Sequence, residues 1–205
     1  MKVSRTTAAA HRQALLEQAG RLFRRHGFDA VSIADVARAA GLTHGAFYGH
    51  FPSKAALAAA AARESLESGA LHWRRRGERA RAAGADPLVA IIGAYLSEAH
   101  RDRPEEGCAL ATLGPEVSRA EPPLSDALRG GVDLLLVVLE EEIARLDPGG
   151  AAASRCGAAL AMLAAMTGGV VLARALAADP AASRAALDSA ARLARGAADL
   201  PSPQG

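Results

Sequence analysis

The chain has 205 residues, half of them hydrophobic but only 3% aromatic, enough for one large domain or two small ones. Alanine, the strongest helix former, dominates the apolar set, and the absence of long Val, Ile, Thr and aromatic runs excludes a strand-built fold in favour of an all-α one. The net charge of +2 hides a division. Residues 1–54 hold eight Lys/Arg against three acids and four of the six histidines, a net +5 on a body of −3, the balance of a polyanion-binding module joined to something else.

Leu15, Leu16, Ala19, Leu22 and Phe23 share one helix face and predict a first helix from about Thr6 to His26. Gly27 ends it, with Arg24, Arg25 and His26 in the last turn, where cations suit the helix dipole. Ser32 is placed to N-cap a second helix over 33–40, with Asp35 completing a variant capping box. Gly41 stops that helix. Thr43 caps a third over 44–51, and Pro52 breaks it. Ser53 starts a fourth that runs to about Arg81, long enough to join two modules. Asp86 followed by Pro87 starts a fifth that reaches about His100.

The loop "RDRPEEG" precedes a weaker helix over Cys108–Arg119, interrupted at Gly114-Pro115. Further helices are predicted over 124–146, over the almost uncharged 151–178, and from Pro180 to about Asp199, with the tail 200–205 expected to fray. The expectation is about nine helices and no strands. An N-terminal three-helix domain (1–52) is joined by the long helix to a larger helical domain (53–205).

The second and third helices, with "AAGLT" between them, have helix-turn-helix proportions. Phe23, Phe28, Ile33, Val36, Leu42 and Phe47 can form a compact core, and five of the seven aromatics lie in the first 51 residues, as a small module needs. If Phe47 and Phe51 point inward, Thr43, His44, Gly45, Ala46, Tyr48 and His50 are left outside. These hydroxyls, imidazoles and small groups suit base edges and phosphates of a major groove. Ser32, Thr43, Ser53 and Lys54 stand at helix starts, which favour phosphate.

The run "VSIADVARAAGLTHGAFYGHFPSKAALAAAA" resembles the N-terminal domain of the tetracycline-repressor (TetR) family of transcriptional regulators. Ser32, the "IADVARAAGL" block, Phe47-Tyr48, His50-Phe51 and Ser53-Lys54 followed by Leu57 carry the resemblance, over about residues 10 to 60. It implies phosphate contacts by Thr43, Tyr48, His50 and Lys54, and positions 44–46 facing bases. His44 departs from the commoner lysine or small residue before the glycine. The resemblance also implies a variable second domain that binds a small ligand and dimerises.

The residues agree with that in part. A helix apolar on nearly all faces, as over 151–178, must be covered on all sides. A homodimer through it and the helix near 180–198 would supply the cover, and would present two recognition helices to an inverted-repeat operator in double-stranded DNA. Trp73, Tyr95, His72, His100, Cys108, Thr112, Met162, Met166 and Thr167 are the distinctive side chains for an effector site, and their company predicts an apolar or amphipathic small molecule. Arg74, Arg75, Arg76, Arg79 and Arg81 read as a solvated helix end.

The expected function is a repressor released from DNA by ligand. The alternatives are an effector-independent architectural protein, or a thiol sensor of oxidants or electrophiles in which Cys108 begins a helix, with Glu105 and Glu106 opposing a lowered thiol pKa. No G-x-S-x-G, H-E-x-x-H, P-loop or Rossmann motif suggests an enzyme, and no metal or cofactor is expected. Two cysteines make neither a disulfide framework nor a zinc spacing. With no signal-like start and no uncharged apolar run of spanning length, a cytoplasmic protein without membrane contact is the expectation.

Overall fold

The computed structural model of the protein describes residues 5–119 and 122–198, of which 117–119 by their backbone only. Among the described residues there are ten α-helices, two 3-10 turns and no strand, so the all-α expectation holds. The helices are α1 (Arg5–His26), α2 (Ile33–Ala39), α3 (His44–Phe47), α4 (Lys54–Ala82), α5 (Pro87–Tyr95), α6 (Glu98–Asp102), α7 (Leu110–Leu113), α8 (Pro122–Leu146), α9 (Ala152–Ala175) and α10 (Pro180–Ala198). The 3-10 turns are Pro104–Glu106 and Gly114–Arg119. The tail 200–205 lies outside the described residues.

Three boundaries differ from expectation. Beyond Phe47, the N–H groups of Gly49 and His50 bond back to Ala46 O and Phe47 O, three residues away, so α3 tightens into a turn before Pro52. The helix expected to reach His100 breaks at Leu96. Ser97 N-caps α6, its Oγ accepting from His100 N–H at 3.2 Å and donating to Ala94 O at 2.8 Å. The helix expected over 108–119 is a single α-turn followed by the 3-10 turn, divided at Gly114-Pro115.

The chain forms two compact units. The first comprises the residues up to Leu66 together with Pro104–Gly131. The second comprises Glu67–Arg103 and the residues from Val132 on. In the first, α1 packs against α2, α7 and the Pro104–Glu106 turn, and α2 against α3. Its core contains Leu15, Leu16, Phe23, Val36, Phe47, Phe51 and Leu57, with Leu113, Leu124 and Leu128 from the later segment. Gly41, at φ +70°, makes the turn between α2 and α3 that a side chain would strain.

In the second unit α9 packs along α10, so closely that a Cβ on Gly169 would run into Ala190 Cβ and meet Leu96 Cδ2 at 2.9 Å. The core there is Trp73, Ile91, Ile92, Tyr95, Leu139, Met162, Met166, Val170 and Leu187. The arginines near the end of α4 are not all merely solvated. Arg74 pairs with Glu141 at 3.1 Å, and Arg81 pairs with Glu142, a buried carboxylate also held by Arg145 at 3.0 Å. A carboxylate is costly to bury without such partners.

By length and composition alone α9 is apolar enough to cross a membrane, contrary to the expectation that no segment would be, and only 39% of that window is buried. Core helices of soluble proteins pass the same test.

Candidate nucleic-acid interface

Two short helices can hold a recognition surface only if their ends are fixed. Ser32 Oγ accepts from Asp35 N–H at 3.1 Å, and the Asp35 carboxylate accepts from Ser32 N–H at 3.0 Å, a complete capping box. Ser32 Oγ also donates to Asp35 Oδ2 at 2.6 Å. These bonds, the Ser32 hydroxyl first and its backbone N–H next, hold the Asp35 carboxyl below its ordinary range. The Ser32 hydroxyl hydrogen is thereby given to Asp35, and a phosphate contact by this side chain requires that bond to be exchanged. Thr43 differs: its Oγ1 accepts from Ala46 N–H at 3.2 Å as the cap of α3, leaving the hydroxyl hydrogen to donate outward.

Phe47 is fully buried and fixes the rotation of α3. Thr43, His44, Gly45 and Tyr48 are then exposed, while Ala46 and His50 are half-buried. Tyr48 is 55% exposed, high for an aromatic side chain, and stands edge-on to His44 with ring centroids 5.5 Å apart. No heavy atom lies within 4 Å of where a Cβ on Gly45 would be, and its φ is not positive. Lys54 opens α4 after the Ser53 cap. Its ammonium sits 4.2 Å from the Phe28 ring centroid and 3.4 Å from Asp29 O. The structure thus brings Thr43, His44, Gly45, Tyr48, His50 and Lys54 onto one unit, and Ser32 onto the adjoining helix start.

The expected effector residues divide. Trp73, Tyr95 and His100 come together in the second unit, the Trp73 and Tyr95 centroids 5.6 Å apart and those of Tyr95 and His100 4.4 Å apart. His100 Nδ1 lies 2.6 Å from Tyr95 O; a carbonyl only accepts, so the neutral ring carries its proton on Nδ1. Burial holds the imidazole below its ordinary pKa, against the raising effect of that bond, and the Arg174 charge adds to the lowering. Met162 and Met166 are fully buried in α9. Thr167 Oγ1, on the same helix, is buried with no hydrogen-bond partner among the described residues. His72 is exposed and bonds back to Ser68 on its own helix.

Cys108 and Thr112 belong to the first unit. Thr112 Oγ1 bonds its own turn, at Ala109 O. Cys108 precedes a helix of four residues, too short to provide the dipole that the thiol expectation relied on.

Sequence reasoning missed the contacts at the end of α1. Arg24 does more than suit the helix dipole: its Nε and Nη2 donate to Glu105 O at 3.0 and 2.6 Å. Glu116 Oε2 accepts from Phe28 N–H at 2.9 Å. Segment 104–116 is thus fastened to the first helix.

The family described as "Bacterial regulatory proteins, tetR family" matches residues 15–61, the segment that holds most of α1, all of α2 and α3 and the start of α4. The HTH-type transcriptional repressor Rv1474c of Mycobacterium tuberculosis is 39% identical over 66 residues, 32% of this chain and about a third (35%) of that protein's length. A TetR transcriptional regulator from Chloroflexus aurantiacus superposes with TM-score 0.68 at 25% identity, over 91% of this chain and 95% of its own. One from Legionella pneumophila does so with TM-score 0.72 at 18% identity, over 94% and 98%. The helix-turn-helix segment at 15–61 thus matches the TetR family of bacterial regulatory proteins, and the chain has the fold of TetR regulators over nearly its whole length.

Proposed function

We propose that the protein is a dimeric, sequence-specific DNA-binding repressor of the cytoplasm, released from an inverted-repeat operator by a small, mostly apolar ligand. The observation that carries the reading is the outer face of α3. Thr43, His44, Gly45 and Tyr48 are exposed there; nothing within the fold requires the glycine, and the tyrosine, though its ring meets Phe47 edge-on at 5.1 Å, keeps more than half of its surface open. In this reading His44, Gly45 and Ala46 face base edges, while Thr43, Tyr48, His50 and Lys54 hold phosphates. Ser32 adds the helix start of α2 rather than its hydroxyl.

Dimerisation is favoured by the faces of α9 and α10 that a single chain leaves open. Leu160 and Leu172 on α9 and Leu176 just after it are exposed, and Leu193 on α10 is 69% exposed. Gly157, Gly168 and Gly196 have no neighbour within 4 Å that would exclude a side chain. Small and apolar residues at open helix positions suit close packing against a second copy.

The ligand reading rests on the buried group of Trp73, Tyr95, His100, Met162 and Met166 in the second unit. A ligand acts only through unequal affinity for two states. Segment 104–116, which follows α6 in the chain and is fastened to α1 by Arg24 and to Phe28 just beyond it by Glu116, is a route by which such a change reaches the first unit.

The test is selection of bound fragments from sheared genomic DNA of the source organism at moderate salt, followed by sequencing. Enrichment of a short inverted repeat supports the reading. Salt-sensitive binding with no enriched sequence refutes specificity and leaves an architectural role.

A further inference from the structure

The basic character of the first unit is not confined to α3 and α4. The His11 ring, on α1, stands perpendicular to that of His50, with centroids 6.1 Å apart. The next residue, Arg12, is exposed and carries its guanidinium 5.0 Å from the centroid of the buried Phe51 ring. Lys54 is held in the same manner on Phe28. Among the described residues, none of these four groups makes an ion pair.

The contrast within the same unit is informative. Arg24 and Arg25 are tied to Glu105, Arg38 to Asp35, and the residue after Arg12, Gln13, turns to Glu17 and Glu64. Arg12 and Lys54 are instead positioned by aromatic faces, which hold a cation without neutralising it and leave N–H donors for another acceptor. A positioned, uncompensated cation suits a polyanion, since less side-chain freedom is lost on binding.

We propose that α1 supplies Arg12, with His11 beside it, as a further DNA-backbone contact next to those of His50 and Lys54, so that the first helix joins α2, α3 and α4 in holding phosphates. The proposal rests on the DNA-binding reading above.

Binding of a labelled mixed-sequence duplex is measured against potassium chloride concentration for the wild type, Lys54→Ala, Arg12→Gln, Arg12→Met and Arg12→Lys, each checked for folding by thermal melting. Removing one charged group from a phosphate lowers the slope of log K against log salt by about 0.9, so a dimer that loses one on each subunit loses about 1.8. Arg12→Gln and Arg12→Met are expected to lower it by that amount, and Arg12→Lys to restore it. The methionine variant keeps an apolar side chain against Phe51 and separates charge from packing. A folded Arg12→Met or Arg12→Gln protein with the wild-type slope overturns the proposal, even if its affinity is lower, because packing alone would then be the role. A lowered slope for Lys54→Ala with none for the Arg12 variants refutes this proposal and spares DNA binding; no salt-dependent binding by the wild type refutes both.

Discussion

Gly45→Ala sets stability and recognition against each other. The added methyl meets no heavy atom within 4 Å, and the backbone at 45 is not in the left-handed region, so the fold accepts alanine without strain. Alanine in place of a helix-interior glycine is favoured by about 0.5–1 kcal/mol. Position 45 is the second residue of α3, in a first turn that lacks its full set of helix bonds, so the lower end, about 0.5 kcal/mol, applies. For a chain of this size that raises the melting midpoint by about 1–2 °C. In the proposed complex the same methyl would stand where base edges approach, and disturbing one good base interaction costs about 1–3 kcal/mol, or roughly 5- to 150-fold in affinity. Phosphate contacts are untouched, so affinity for mixed-sequence DNA and its salt slope stay as in the wild type. The assays are a thermal melt and a binding titration on the selected operator and on a scrambled duplex. An alanine variant that melts higher and binds operator as tightly as the wild type would refute the argument that the glycine serves the partner.

Three further outcomes follow from the geometry. The depressed pKa of His100 means that the unfolded chain takes up this proton first as pH falls. Its contribution is therefore full above the ordinary value of about 6.5 and is lost as pH falls from there through the lower folded value, a slope in the melting midpoint that His100→Gln should flatten. Glu116→Ala leaves the half-buried Phe28 N–H without its carboxylate and should cost about 1 kcal/mol, with faster amide exchange at Phe28; unchanged exchange there would remove Glu116 from the coupling route. Leu172→Asp places a charge at an exposed position of α9, so the folded chain should survive and sediment as a monomer with weakened binding to the inverted repeat. A dimer of wild-type strength would move the interface elsewhere.

What was legible in the sequence was local. The Ser32, Thr43, Ser53 and Asp86 caps all act within three residues of their own position, and the fold contains each of them. The outward set on α3 was legible because one large apolar residue, Phe47, decides the rotation of a helix this short. The break at Leu96 also had a local signal, Ser97 followed by Glu98, but the apolar periodicity of the preceding residues favoured continuing the helix.

The fastening of segment 104–116 had no signal of this kind. Arg24 and Glu105 are 81 residues apart, and Phe28 and Glu116 are 88 apart. In each pair one partner is a backbone group, which every residue possesses and no sequence pattern marks. Arg24 beside Arg25 at a helix end therefore reads as dipole chemistry, whereas folding commits its donors to a carbonyl from another part of the chain. Arg12 shows the converse. Its sequence neighbours assign it no partner, the described residues supply it an aromatic face and no ion pair, and the charge left uncompensated after folding is the one we propose for DNA.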